Sequence, residues 1–387
     1  MKRDAIVIGL CASLAIAWLV HRLDSGATQS SGLSSTALLS AAPENFKRVT
    51  GPEGLQFPSD HAMHPGFRNE WWYFTGNLES PVSENDTSKQ RRFGFQFTLF
   101  RFALDSQSAP SSDFAADALW MAHVALSDLD NQRFYSRERL ARGALGLAGA
   151  TTRQWWLKDW TVVRVGDAWQ LETDAGEFAL SLILIPEKPI IAQGNQGYSR
   201  KGREPGNASM YYSISRLSAE GRLRLDGQTI DLAGLAWLDR EWGSSQLDPG
   251  LAGWDWFALQ LDDGRDLMLY RLRDLEGRAS AYSAGMLVGV DGQRNVLDAS
   301  DFQLLPVRTW RDADGVEWPV AWRIEVAGFD LSLEVEASFD AQRWRGLVDY
   351  WEGAVLVRNP GTQATIGRGY LELSGYSNRN QTTVGRN

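Results

Sequence analysis

The sequence has almost no cysteine: Cys11 is the only one in 387 residues. It lies inside an N-terminal apolar run, so the mature chain is expected to carry none. That excludes a disulfide framework and a thiol nucleophile. Histidine is nearly as scarce, with four residues. His61 and His64 are three apart beside Asp60, and His123 is remote; no third ligand stands at a metal-binding spacing, so no metal is expected. A basic block is missing too. The net charge is −9 and the Lys and Arg residues are scattered, which excludes nucleic acid as a partner. There is no nucleophile elbow, phosphate loop or dinucleotide fingerprint, so no cofactor is expected. Helical periodicity is rare; residues 136–147 are the main helix candidate, as a crossover between strands.

What the chain does have begins with Met1-Lys2-Arg3, an apolar run from Ala5 to Val20, and small residues at Ser25-Gly26-Ala27. This pattern predicts a secretory signal or an uncleaved anchor, residues 1–27, followed by a Ser- and Ala-rich linker, 28–55. A periplasmic or otherwise exported protein is expected. Any membrane contact would be an inner-membrane tether made by that segment.

The rest alternates with a strand period. Phe93-Gly94-Phe95-Gln96-Phe97-Thr98-Leu99-Phe100 is one case, Leu331-Ser332-Leu333-Glu334-Val335 another, with Asp-Gly turn signals at 226, 263, 291 and 314. An internal repeat runs through it. Trp71-Trp72-Tyr73-Phe74 matches Trp254-Asp255-Trp256-Phe257, and Thr98-Leu99-Phe100-Arg101 matches Met268-Leu269-Tyr270-Arg271. Ala168-Trp169 matches Ala321-Trp322, Phe178–Leu182 matches residues 329–333, and Trp237-Leu238-Asp239 matches Tyr370-Leu371-Glu372. Five matches in one order predict two copies of a β module, 56–242 and 243–387, each an eight-to-ten-stranded barrel or strongly curled sheet. The fold class is all-β.

The richest chemistry lies where acids meet aromatic rings, in a chain with 17 Trp. Glu70 precedes four consecutive aromatics. Such rings would strip its hydration and raise its pKa, making it a proton donor; the alternative is a rim carboxylate paired with an arginine. In Asp239-Arg240-Glu241-Trp242, strand alternation puts the two acids on one face and Arg240 and Trp242 on the other. Either one acid is protonated, or an arginine such as Arg68 or Arg101 pairs with it. Catalytic candidates are therefore Glu70, Asp239 and Glu241. Asp255, Glu372 and the Tyr350-Trp351-Glu352 run add further acid–aromatic pairs. In the opening run, Glu70, Trp72 and Phe74 share one face, and that face is the expected pocket wall.

With these residues in place, the sequence resembles the AttH-like and carotenoid 1,2-hydratase (hydroxyneurosporene synthase) family. The resemblance rests on Asp60-His61, the run from His64 to Leu78, Ala236–Trp242, Gly253–Phe257, Tyr350–Gly353 and Gly369–Tyr376. It implies two tandem lipocalin-like β-barrels and an apolar ligand, isoprenoid- or lipid-like. It also implies an ABC-transporter component as a second partner, since relatives are encoded beside exporters. Hydratase members add water to an isoprenoid double bond without a cofactor, which implies Glu70 or Asp239 as acid and Trp242, Trp254 and Trp256 as rings sheltering a cation. The ligand-binding set is thus Trp72, Phe74, Arg240, Trp242, Trp254, Asp255, Trp256, Tyr270, Tyr350 and Glu372. The chain departs from the hydratase pattern in two places. Arg240 stands where that branch has His, and Tyr270 is followed by Arg271 and Leu272 instead of a paired Asp. The expected function is an exported lipophile-binding protein; the alternative is an acid-catalysed hydratase or isomerase.

Overall fold

A computed structural model of the chain describes residues 45–81, 90–106, 116–244, 247–248 and 250–377. The expected signal or anchor lies outside the described residues, as does most of the linker. Among them the only helix is the 3-10 turn Ser59–His61; everything else is strand or loop.

The first module begins with β1 (Asn69–Glu79), β2 (Arg92–Ala103), β3 (Ala118–Asp128) and β4 (Arg133–Arg142). Five shorter strands follow: β5 (Ala148–Ala150), β6 (Gln154–Leu157), β7 (Trp160–Val165), β8 (Ala168–Asp174) and β9 (Phe178–Pro186). It closes with β10 (Ile191–Ala192), β11 (Tyr198–Arg200), β12 (Ala208–Leu225) and β13 (Gln228–Gly243). The second module holds β14 (Leu251–Leu261), β15 (Asp266–Asp274), β16 (Ala284–Val288), β17 (Arg294–Asp298) and β18 (Phe302–Arg311). Its remaining strands are β19 (Glu317–Val326), β20 (Leu331–Ala337), β21 (Arg343–Trp344), β22 (Tyr350–Arg358) and β23 (Thr365–Ser374).

Every pairing is antiparallel. The first sheet runs β4-β3-β2-β1-β13-β12-β9-β8-β7-β6-β5, and the second β17-β16-β15-β14-β23-β22-β20-β19-β18. Each curls around its own core, so the chain is a tandem of lipocalin-like barrels. Both barrel interiors are filled. The first holds Trp72, Phe74, Phe95, Phe97, Trp120, Trp155 and Trp169; the second holds Phe257, Trp318, Trp322, Trp351 and Leu371.

Burial along each strand tells which side meets water. β9 alternates buried and exposed, with Leu180, Leu182 and Leu184 inward and Ile183 and Ile185 outward. β1, β2 and β3 are buried on both faces. Strands apolar on both faces need cover on both sides, and the second barrel supplies it. Gly94 lets the barrels meet closely: a Cβ there would come within 2.7 Å of the Ala354 side chain. Polar ties fix the contact. Gln260 donates to the Ala236 and Ser215 carbonyls, and Asp266 accepts from Ser215, Arg216 and Lys188.

The repeat holds at atomic register. Tyr73 faces Asp239 across β1–β13, and Trp256 faces Glu372 across β14–β23. Leu171 faces Leu182, and Ile324 faces Leu333. Two expectations need correction. In β2 and β15 the matched residues are Phe97 with Leu269 and Arg101 with Arg273, two positions from the expected pairing, because Phe97 faces Phe74 and Leu269 faces Phe257. Residues 136–147 do not form a helix. Residues 136–142 belong to β4, which pairs with β3 from Leu119↔Arg142 to Asp128↔Arg133, and 143–147 turn into the next strand. The Arg/Glu/Leu/Ala composition favours helix locally, but an open strand edge beside it and inward Tyr135 and Ala141 decide otherwise.

Candidate active site between the barrels

The pocket lies between the barrels, not inside either one. It is a cavity of about 130 Å³ whose walls are the outer faces of β1, β2, β3 and β13 on one side and of β14, β15, β22 and β23 on the other. Because side chains alternate, the odd residues of β1 supply this wall: Trp71 and Tyr73 line it, together with Phe100, Trp254, Trp256 and Tyr270. Into this aromatic lining project four carboxyls, Asp239, Glu241, Glu352 and Glu372, and one ammonium, Lys201.

The four acids are held differently. Asp239 accepts hydrogen bonds from the Tyr211 hydroxyl at 2.5 Å, the Ser213 hydroxyl at 2.5 Å and the Trp237 indole at 2.6 Å. Burial outweighs them and pushes its pKa up to about 7, with the Glu241 charge adding to the rise. Burial likewise lifts Glu372 to about 7, against an indole hydrogen bond from Trp254 at 3.0 Å. Glu352 accepts from the Tyr73 hydroxyl; burial first, and then the Glu372 charge, raise it well above the usual carboxylate range. Glu241 alone has a cation: Lys201 Nζ stands 3.2 Å away, and the Ser209 hydroxyl donates to the same carboxyl. Burial works to lower the Lys201 pKa, but Glu241, Tyr270 and Asp239 overcome it, and the net shift is upward. The ammonium also lies 3.9 Å from the Tyr270 ring centre, a cation–π contact.

The expected site residues therefore divide. Asp239, Glu241, Trp254, Trp256, Tyr270, Tyr350 and Glu372 are all brought to this cavity. Glu70, Trp72, Phe74, Arg240, Trp242 and Asp255 are not. Trp72 and Phe74 pack in the first barrel core, so the Glu70–Trp72 face is not the pocket wall. Trp242 stacks on His64 with ring centres 4.0 Å apart. The expected rise in the Glu70 pKa is also corrected. Burial acts upward, but Arg240 at 2.5 Å, His64 and Arg101 at 2.8 Å reverse it and hold the carboxyl at about 2. Asp255 is its counterpart in the second barrel, clamped by Arg271 at 2.7 Å, Arg273 at 3.0 Å and the Tyr376 hydroxyl at 2.8 Å. Arg101 does not pair with the Asp239–Glu241 face; it is held by Glu70. His61 points to Tyr212 at 2.7 Å, and burial lowers its pKa to about 4.

Sequence reasoning missed Lys201, His123, Tyr211, Trp71 and Tyr73. A signal existed for the last two. Trp254 and Trp256 are expected pocket rings, and in the repeat their partners are Trp71 and Tyr73.

The raised acids predict a pH dependence of stability. Between about pH 4 and pH 7 the native Asp239 keeps a proton that the unfolded chain releases, so stability falls as pH rises through this window. Asp239→Asn removes the contribution. Thermal melts at acidic and mildly alkaline pH should show a smaller loss of Tm in Asp239→Asn than in wild type; equal losses would contradict the raised pKa.

Two filled barrels with an acid-lined aromatic cleft between them define a tandem lipocalin-like protein whose site is built by both modules. The chain belongs to the AttH-like family, whose model matches residues 48–376. The crystal structure of an AttH from Nitrosomonas europaea is 36% identical in sequence, covers 86% of this chain and 100% of its own, and superposes with a TM-score of 0.76. Kievitone hydratase from Nectria haematococca is 15% identical, covers 88% of this chain and 99% of its own, and superposes with a TM-score of 0.62; that likeness shows a shared fold. A comparison with curated proteins finds no match.

Proposed function

We propose that the protein is an exported, cofactor-free hydratase that binds a lipophilic alkene between the barrels and adds water to it. The observation that carries the reading is the set of buried carboxyls with raised pKa values inside an aromatic cavity, Asp239 and Glu372 at about 7 and Glu352 well above the usual carboxylate range. A carboxyl that keeps its proton near pH 7 can donate it, and environments that separate two acids assign their roles. Glu352, raised by burial and by the Glu372 charge beside it, is the donor. Asp239, balanced near pH 7 by three hydrogen-bond donors, is the base. Glu352 passes its proton to one alkene carbon, and the π pair becomes the new C–H bond. The cation left on the more substituted carbon is sheltered by the faces of Trp71, Trp254 and Trp256. Water attacks it, and Asp239 takes the proton that water releases. The fold of kievitone hydratase, a protein named for such an activity, agrees with the reading.

Incubation with an acyclic isoprenoid alcohol and with a prenylated phenol in ¹⁸O-water tests it. Label in the product is expected, and it should vanish in Asp239→Asn. Binding of both compounds with no label in either would leave a lipophile carrier and end the hydratase reading. The binding step has its own prediction. Trp256 packs edge-on against Tyr73 with ring centres 5.1 Å apart and forms part of the wall. Its loss removes roughly 1.5–3 kcal/mol of apolar contact, so Trp256→Ala should weaken binding of geranylgeraniol about 10- to 150-fold by tryptophan quenching.

A further inference from the structure

Two charged groups in the cavity wall take no part in the reaction above. Glu241 on β13 and Lys201, just past the end of β11, stand side by side there, with Nζ 3.2 Å from Oε1. Both are held in place. The Lys201 amide donates to the Asn207 carbonyl at 2.8 Å. The loop between those two residues is pinned to Asp248, in the segment that joins the barrels. Asp248 accepts from the Arg203 amide at 3.0 Å and from the Asn207 side chain. Tyr270, whose ring centre lies 3.9 Å from the ammonium, is itself fixed by the Ser199 hydroxyl at 3.1 Å.

A pair that served only to join strands would use up its own hydrogen bonds, and this one does not. Lys201 and Ser209 both meet Glu241 at Oε1, and Oε2 has no hydrogen-bond partner among the described residues. The ammonium has three N–H groups. One can meet Glu241 and one the Tyr270 ring. The third has no oxygen or nitrogen to meet among the described residues. The wall therefore presents an open acceptor beside an open donor.

We propose that Lys201 and Glu241 form a polar subsite that sets the ligand class: an un-ionised hydroxyl at one end of the lipophile donates to Glu241 Oε2 and accepts from the Lys201 ammonium. A hydroxyl is the smallest group that does both. An anionic head group does not fit. Lys201 is the one Lys or Arg in the lining among the described residues, Glu241 already neutralises it, and Asp239, Glu352 and Glu372 share the cavity. A plain hydrocarbon would dry both open groups without pairing them, and a site built to hydrogen-bond a hydroxyl rejects the analogue that lacks it. Asp239 lies two residues from Glu241 on the same face of β13, about 7 Å away at strand spacing. A hydroxyl anchored at Glu241 thus leaves the next stretch of the ligand beside the base of the reaction above.

Tryptophan quenching with three probes of one carbon skeleton tests this: geranylgeraniol, the hydrocarbon with a methyl group in place of its hydroxymethyl group, and geranylgeranoic acid at mildly alkaline pH. A purely apolar cavity would favour the hydrocarbon. The wild type should instead bind the alcohol about 10- to 100-fold more tightly than either other probe. The double variant Lys201→Met, Glu241→Leu removes both charges together, which avoids leaving one of them buried alone. In it the hydrocarbon should bind at least as well as the alcohol. Overturning results are a wild type that binds the hydrocarbon as tightly as the alcohol, one that prefers the acid, one that binds none of the three, or a double variant that keeps the preference for the alcohol. The wild-type comparison decides by itself if the double variant does not fold. The proposal rests on the lipophile-binding half of the reading above and not on its chemistry. A preference for the alcohol without ¹⁸O label sinks the hydratase and leaves the subsite; label without the preference sinks the subsite and leaves the hydratase.

Discussion

Glu352→Gln should lower turnover about 10²- to 10⁴-fold, the range for removing a general acid, while leaving the affinity for geranylgeraniol nearly unchanged. Gln has the shape of protonated Glu and keeps an oxygen to accept the Tyr73 hydroxyl. It has no proton to give. The wall of Trp71, Trp254 and Trp256 that binds the apolar body is untouched. The loss should thus fall on kcat and not on KM, as expected for an interaction used only in the transition state. Asp239→Asn makes the complementary case. Tyr211, Ser213 and Trp237 all donate to Asp239. An amide can keep its oxygen toward some of them but cannot take a proton from water. Single-turnover kinetics with a bound isoprenoid separates the two variants from a binding defect. If Glu352→Gln turns over at the wild-type rate while Asp239→Asn does not, the donor assignment is wrong and Asp239 is the acid.

The two-barrel plan was legible because duplication writes itself twice. Tyr73 opposite Asp239 and Trp256 opposite Glu372 occupy equivalent positions, and that equivalence survives any error in strand boundaries. The alternation of the opening run was legible as well, separating Trp71 and Tyr73 from Glu70, Trp72 and Phe74. Which face lined a pocket was not, because β1 is buried on both sides. A strand with one wet face announces its orientation; a strand between a barrel core and a second barrel does not. The two-residue slip between β2 and β15 has a related cause. A slip of one residue turns every side chain to the wrong face, but a slip of two preserves the pattern and leaves only neighbouring strands to set register. His123 and Lys201 were invisible for another reason. His123 sits among apolar residues in the middle of β3 and Lys201 lies just past the end of β11, and what they meet, Glu138 and Tyr350 or Glu241 and Tyr270, comes from other strands.

Asp239 and Glu70 show that an acid beside aromatic rings has no fixed meaning until its cations are known, and their contrast gives the second large prediction. Both are fully buried. Asp239 has only neutral donors and is pushed up to about 7; Glu70 has two guanidinium groups and is held at about 2. Arg240 lies 3.9 Å from the Trp72 ring centre and is fully buried, so it has no route to water if Glu70 is removed. Glu70→Gln should therefore cost about 3–5 kcal/mol of stability, the usual effect of leaving one partner of a buried ion pair uncompensated, although the residue takes no part in the chemistry. The dependence on pH has a definite sign. The folded pKa is depressed, so the ionised carboxylate contributes in full above the unfolded value near 4.3. That contribution is lost as pH falls toward about 2. Urea unfolding should show a large gap between wild type and Glu70→Gln at neutral pH, and the gap should narrow steadily below about pH 4. Asp239→Asn should show the opposite trend, with its relative stability improving as pH rises. Should the Glu70→Gln gap stay constant through the acid range, the carboxylate is not what the two arginines depend on, and the clamp at the end of the first barrel is held by packing alone.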